Sequence, residues 1–178
     1  KGHCDAAIAS AKADLVAVCD LIPAKMEKIA EKCPGLKMYT DFNDLIADPD
    51  IDIISICLPS SLHAEYAVRA MEAGKHVLVE KPIDITVEAA QKIEEARLRT
   101  GMKAGVIHQN RFNLDMFPIK AAVDCGHLGR IFLGTFAVKW YRTQEYYEGW
   151  HGTWEVDGGG SLMNQAVHTV DIMQWLIG

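Results

Sequence analysis

From its first residues to about position 107 the chain alternates short apolar runs with amphipathic stretches. Repeated strand–helix units of this length leave few folds open, because parallel strands need a crossover between them. Residues 15–19 read as a compact strand, and 23–32 as a helix with Pro23 in its first turn. Met38 and Tyr39 suggest a short strand, and Asp41 is a suitable cap for the small helix that follows. Residues 51–58 are rich in isoleucine without strict alternation, as expected of a strand covered on both faces. A helix over 61–73 closes at Gly74, a strand occupies 76–79, a helix runs from Thr86 to Gly101, and 103–107 form a last strand. The expected fold is therefore α/β, with a doubly wound parallel sheet whose ligand lies at the carboxyl ends of the strands. That rule directs attention to Asp20, to Leu58-Pro59-Ser60, to Glu80-Lys81-Pro82 and to His108-Gln109-Asn110-Arg111.

The texture changes after about Asn110. A helix is expected over 114–125, an antiparallel-sheet strand over 131–141, a loop rich in glycine and aromatics over 146–160, and a helix over 161–177. The expected organisation is a dinucleotide-binding domain over 1–110 and the beginning of a second, α+β domain over 111–178. The chain opens on Lys1 and breaks off after an amphipathic stretch, so a fragment is expected, with a first strand and glycine loop upstream. The 178 residues alone are then expected to bind NAD poorly and to be inactive. Composition removes other classes: 49% hydrophobic and 24% charged residues exclude a disordered linker. A net charge of -6 argues against nucleic acid or an anionic membrane as partner. Apolar runs are too short to span a bilayer. Five scattered cysteines without a CxxC pair point to a reduced, cytoplasmic protein with neither disulfides nor a zinc site.

Two segments carry chemistry. Lys81 follows an apolar strand and precedes Pro82. A lysine half-buried at such a strand end has a lowered pKa and can relay a proton from a hydroxyl, whereas an isolated lysine is ordinarily an exposed one. In the 161–177 helix, Asn164, His168, Asp171 and Trp175 share one stripe on an otherwise apolar circumference. Either the stripe faces solvent, or it faces a site where His168 acts as acid–base and Asn164 and Asp171 orient it or the substrate. One histidine and one carboxylate are too few ligands for a metal. Asp20 suits the ribose hydroxyls of an adenosine as well as it suits a solvated turn. Ser60 or Ser61 serves as a helix cap, while Arg111, Arg142, Tyr146, Tyr147 and Trp154 line either a substrate cleft or a domain contact. His3, His76, His108, His127 and His151 show no evident partner in the sequence.

The run AMEAGKHVLVEKP at 70–82 resembles the signature of the Gfo/Idh/MocA oxidoreductases. VAVCD at 16–20, LPSSLH at 58–63, CGHLGRI at 125–131 and GGGSLMNQAVHTVDIMQWLIG at 158–178 extend that resemblance along the chain. It implies a Rossmann domain followed by a domain with an open antiparallel sheet, and a nicotinamide-dependent dehydrogenase of a sugar, cyclitol or nucleotide-sugar alcohol. Lys81 and His168 would be catalytic, and Lys81, Arg111, Asn164, His168 and Asp171 would meet the substrate. Asp20, Pro59, His63, Glu80 and Lys81 would surround the cofactor, with Asp20 favouring NAD over NADP. Many inositol-dehydrogenase-like members carry aspartate where this chain has Asn164, and NQAVH is more similar to members acting on nucleotide-linked sugars. The resemblance also implies a homo-oligomer. An NAD-dependent glycosidase and a non-catalytic sugar-sensing regulator are the alternatives on the same fold.

Overall fold

The computed structural model describes residues 2–178. Helix α1 (Gly2–Ala9) leads to β1 (Ala17–Cys19), α2 (Pro23–Ala30), β2 (Lys37–Tyr39) and α3 (Phe42–Ala47). Then come β3 (Ile53–Ile56), α4 (His63–Glu72), β4 (His76–Val79), α5 (Val87–Thr100) and β5 (Ala104–Val106). Every strand pair is parallel and every crossover is helical, as the alternating pattern requires. The pairing falls into two pieces, β1 with β2, and β3–β4–β5 with β4 in the middle. The helix ends follow local chemistry: Asp41 accepts the Asn43 N–H at 2.7 Å, Thr86 accepts the Ala89 N–H at 3.1 Å, and Gly101 closes α5 in the left-handed region.

The core lies between β3–β4 and the helix pair α4–α5. Ile54, Ile56, Val77 and Val79 point into it, against Met71 and Ile93. Ala67, Ala70 and Ala96 are fully buried, and their small side chains let both helices approach the sheet closely. The opposite face is a correction to the expectation of a strand covered on both sides. Ile53 is 55% exposed and Leu78 43% exposed, so burial alternates strictly along β3 and β4. Three isoleucines in four residues hide that alternation in the sequence, because α4 and α5 both cover the same face.

Beyond β5 lie α6 (Met116–Asp124), α7 (Ser161–Asn164) and α8 (Val167–Ile177). Two further expectations are corrected here. Residues 131–141 are irregular: among the described residues, no backbone hydrogen bond joins 130–142 to another segment. Their β-branched and aromatic composition suits a strand, yet a strand needs a neighbour's N–H and C=O groups. The helix expected over 161–177 is broken between Asn164 and Val167.

Opposite the carboxyl ends of the strands, Asp48 joins the parts of the sheet. Its carboxylate accepts Lys37 Nζ at 2.8 Å and the Tyr39 hydroxyl at 2.9 Å, both from β2, and the Asp50 N–H at 3.0 Å. Its carbonyl accepts the buried Lys75 Nζ at 2.7 Å, just before β4. Lys37 first, then the Asp50 N–H, hold the Asp48 carboxyl down at about 2 against an ordinary 3.8. A carboxyl with a depressed folded-state pKa stabilises the fold above its unfolded value, and that contribution fades as pH falls through the folded one. Urea titrations across this acid range are therefore expected to show Asp48→Asn less stable than wild type at neutral pH. The difference should shrink as pH falls from about 4 to about 2; a constant difference would mean that the charge on Asp48 contributes nothing.

Candidate active site

The carboxyl ends of the strands gather most of the residues singled out by the sequence. After β1, Asp20 accepts the Ile22 N–H at 2.9 Å and faces Lys25 at 3.5 Å. Its side chain is half-buried, and beside it Leu21 and Ile22 are exposed apolar residues. After β3, Pro59 begins a 3-10 turn (Ser60–Leu62) that runs into α4. After β4 comes Glu80, whose carboxylate pairs with His3 Nε2 at 2.7 Å and accepts the Lys81 N–H at 3.0 Å. His3 also contacts the Ser55 hydroxyl in β3, so α1 is fastened to two strand ends. The Lys81–Pro82 peptide is cis.

His63 is placed differently from a cofactor ligand. It is 1% exposed, with Nδ1 at 2.7 Å from the Pro82 carbonyl and Nε2 at 2.8 Å from the Leu58 carbonyl. Its ring shapes the loops after β3 and β4 from beneath and has no free edge. Asp84 adds a second tie, accepting the Ala64 N–H at 2.8 Å and the Ile85 N–H at 2.7 Å. The loop after β5 carries Gln109, Asn110 and Arg111 in a 3-10 turn (Gln109–Phe112).

The break before α8 brings the second signal to the first. No N–H of α8 takes the Asn164 carbonyl, and Lys81 Nζ donates to it instead at 2.5 Å. The stripe faces inward, since Asn164 is 8% and His168 6% exposed. Burial pulls the Lys81 ammonium below its ordinary range, and the attractive charges of Glu80 and Asp157 do not offset it. His168 is pushed below its ordinary 6.5 by burial, then by the charges of Lys81 and His108. It is therefore neutral at pH 7, with Nδ1 buried and unpartnered and Nε2 at 3.5 Å from the Gln109 amide nitrogen. His108, which shows no partner in the sequence, lies 3.7 Å from Asp171, and burial pushes its pKa down as well.

Arg111 and Asp171 are placed together, away from the role of free substrate ligands. Arg111 Nε donates to Asp171 Oδ2 at 2.7 Å and Nη2 to Oδ1 at 2.5 Å, a bidentate pair. The Asp171 side chain is 9% exposed, and the guanidinium also lies 5.8 Å from the Trp175 ring centre. The pair docks α8 onto the loop after β5 and so holds His168 near Lys81.

A cavity of about 250 Å³ opens beside Lys81. Cys57, Glu80, Tyr146, Trp150, His151 and Asn164 are among its walls. His151 stacks on Trp150 with ring centres 4.1 Å apart, a contact that sequence spacing does not reveal. Tyr146, Asn164 and Gln165 separate it from a larger space of about 520 Å³ bordered by Phe136, Val138, Val170 and Met173. Of the groups with shifted pKa, Lys81 and Cys57 border the smaller cavity. Trp154, 76% exposed, lines neither. Among the described residues, no group of three His, Cys, Asp or Glu side chains is arranged to hold a metal ion, and no helix is long and apolar enough to cross a membrane.

Comparison with known proteins shows the family. Residues 1–108 match the family model described as the oxidoreductase family, NAD-binding Rossmann fold, and residues 118–178 match the GFO/IDH/MocA C-terminal domain. Among solved structures, the WlbA dehydrogenase of Chromobacterium violaceum, in complex with NADH and UDP-GlcNAcA, is 38% identical with a TM-score of 0.93. That similarity covers 99% of this chain and 52% of that one. Among curated proteins, levoglucosan dehydrogenase of Pseudarthrobacter phenanthrenivorans is 32% identical over 78% of this chain and 36% of its own length. D-glucoside 3-dehydrogenase of Escherichia coli K12 is 30% identical over 93% of this chain and 47% of its own. The chain thus spans about half the length, or less, of these relatives.

Arg111→Met leaves Asp171 without its bidentate partner in a nearly buried setting. The expected cost is about 2 kcal/mol of unfolding free energy. Arg111→Met/Asp171→Leu should recover at least half of that loss in the same denaturant titration. Equal stability of wild type and the single variant would remove the docking role of the pair.

Proposed function

The chain belongs to the Gfo/Idh/MocA oxidoreductase family, and on that premise we propose that the whole protein is an NAD(P)-dependent dehydrogenase of a secondary alcohol on a sugar, cyclitol or nucleotide-linked sugar. In this reading residues 1–110 form the dinucleotide-binding domain and 111–178 begin the substrate domain. The observation that carries it is Lys81, desolvated at a strand end, bordering a cavity across from Asn164.

The residues present fit a nicotinamide dinucleotide. Asp20 offers an acceptor-only carboxylate at the end of β1, suited to ribose hydroxyls and repelling a 2′-phosphate, which favours NAD over NADP. Exposed Leu21 and Ile22 beside it offer apolar surface to an adenine. Pro59 and Glu80, at the ends of β3 and β4, would flank the rest of the cofactor. When bound, the cofactor supplies the hydride acceptor.

Lys81 Nζ would take the proton of the substrate hydroxyl, because burial favours its neutral amine. The Asn164 carbonyl holds Nζ in place, so little reorientation is needed. His168, neutral and just behind, provides a second proton site, oriented by Gln109. Aromatic faces of Tyr146 and Trp150 at the cavity suit a sugar ring. Arg142 lies over Tyr146 and Trp140 and, among the described residues, pairs with no carboxylate. That guanidinium donates to the Tyr141 carbonyl at 3.0 Å and, with no carboxylate partner, suits the carboxylate or diphosphate of a nucleotide-linked sugar acid, the class of ligand held by the WlbA dehydrogenase. The five free cysteines support a reducing, cytoplasmic setting, and family membership supports a homo-oligomer.

Full-length protein is expected to form NADH when mixed with NAD and UDP-N-acetylglucosaminuronic acid or a related sugar. Lys81→Met should lower turnover about a hundred- to ten-thousand-fold with NADH affinity nearly unchanged. Unchanged turnover in the variant would remove Lys81 from the chemistry. Cleavage of an aryl glycoside without net NADH would replace the dehydrogenase reading with a glycosidase one.

A further inference from the structure

Asp157 is 1% exposed, and beyond its attraction for the Lys81 ammonium it has no part in the proposed proton transfer. It sits where the Gly-rich loop turns, its N–H and that of Gly158 both donating to the Thr153 carbonyl at 3.0 and 3.1 Å. Its carboxylate accepts the Gly152 N–H at 2.7 Å. The same carboxylate accepts Asn164 Nδ2 through both oxygens, at 2.8 and 3.0 Å. A carboxylate can only accept, so the NH2 group of Asn164 must face Asp157. The amide oxygen is thereby turned the other way. There it accepts the Gln165 amide at 3.0 Å and the Tyr146 hydroxyl at 3.3 Å. Asn164, Gln165 and Tyr146 all border the cavity beside Lys81.

We propose that Asp157 is a positioning residue that fixes the polarity of Asn164, so that its amide oxygen accepts a hydroxyl or amide N–H of the substrate in place of the long Tyr146 contact at 3.3 Å. The proposal rests on the dehydrogenase reading for its substrate, and on the hydrogen-bond geometry alone for the pairing. A buried carboxylate is costly unless its lone pairs are filled, and here three N–H contacts from two groups fill them. An asparagine without that partner is free to present either end of its amide, because its two ends differ little in shape. The fixed orientation selects ligands by their donors, since an acceptor placed against the Asn164 oxygen would leave two lone pairs opposed.

Substitution can release that polarity. In Asp157→Asn the new amide oxygen is claimed by the Gly152 N–H, which leaves its NH2 facing Asn164. The oxygen kept for Gly152 lies 3.0 Å from Asn164 Nδ2, but the new NH2 replaces the nearer acceptor at 2.8 Å. Asn164 is then no longer held one way and shows either end of its amide to the cavity. In Asp157→Asn/Asn164→Asp the amide at 157 donates to a carboxylate at 164, and the cavity again meets an acceptor. In Asn164→Asp alone, two carboxylates face each other. The full-length wild type and these three variants are compared by kcat/KM and by melting temperature. Asp157→Asn and Asn164→Asp should each lose about 10- to 100-fold in kcat/KM, and the double variant should exceed Asn164→Asp by at least about 10-fold. Losses that simply multiply in the double variant, or an Asp157→Asn protein with wild-type kcat/KM, would overturn the proposal. If Asp157→Asn does not fold, the double variant against Asn164→Asp decides alone. A folded wild type that oxidises no sugar removes the dehydrogenase reading instead. The melting temperatures then decide the pairing, with recovery in the double variant supporting it and additive losses overturning it.

Discussion

The hydrogen bond from Lys81 Nζ to the Asn164 carbonyl holds the site together, and it exists because a helix is interrupted. In a continuous helix that carbonyl would accept the His168 N–H. With the break it is freed at the end of α7, and the half-buried Lys81 ammonium after β4 finds a neutral acceptor there. A carboxylate in that place would pair with the lysine and hold its proton. A carbonyl satisfies one donor without a full opposing charge, so desolvation still lowers the Lys81 pKa. The geometry therefore combines a fixed position with a labile proton.

The neighbouring acids attract the Lys81 ammonium without offsetting its desolvation. Glu80 lies next to Lys81 in the chain, yet its carboxylate is engaged by His3 and by the Lys81 N–H. Asp157 is engaged by Asn164 and Gly152. Asp171 is neutralised by Arg111. Each acid near the cavity thus has partners of its own. His168 and His108 stay neutral beside them, since burial outweighs the attraction of Asp171 and Glu80 for their protonated forms. The site is polar in its walls while the two histidines behind Lys81 carry no charge.

What the sequence revealed follows from range. The alternation of strands and helices, the caps Asp41 and Thr86, and the Gly101 stop depend on neighbours within four residues, and the structure contains each of them. EKP at 80–82 and the stripe over 164–175 are similarly local, so Lys81, Asn164 and His168 were legible as candidates. The stripe's direction was not, since facing solvent or a site depends on what packs above the helix. Arg111 and Asp171 show why residue type alone misleads: each is a good substrate ligand in isolation, but across 60 positions they bind each other. His63 and His108 were opaque for the same reason, each having a partner distant in sequence, the Pro82 carbonyl for His63 and Asp171 on α8 for His108. Residues 131–141 have strand-forming side chains, but the ladder that would use them involves backbone groups of another segment.

Close packing explains how one loop carries so many of these constraints. At Gly158 (φ +75°) an added Cβ would lie 2.7 Å from Ile85 Cβ and 3.2 Å from its Cα. Only glycine permits both that backbone angle and that approach. Ile85 directly follows Asp84, which anchors the start of α4, and Asp84 lies two residues beyond Pro82. The Ser61 N–H reaches the Val156 carbonyl at 3.1 Å on the other side of the same loop. Residues 156–158 are thus wedged between the turns that follow β3 and β4, and Asp157 is carried to Asn164 by contacts with the parallel-sheet domain. The polarity of Asn164 is consequently set from the parallel-sheet side of the cavity. A substitution at Ile85 or Gly158 would reach the cavity through Asp157 without bordering it.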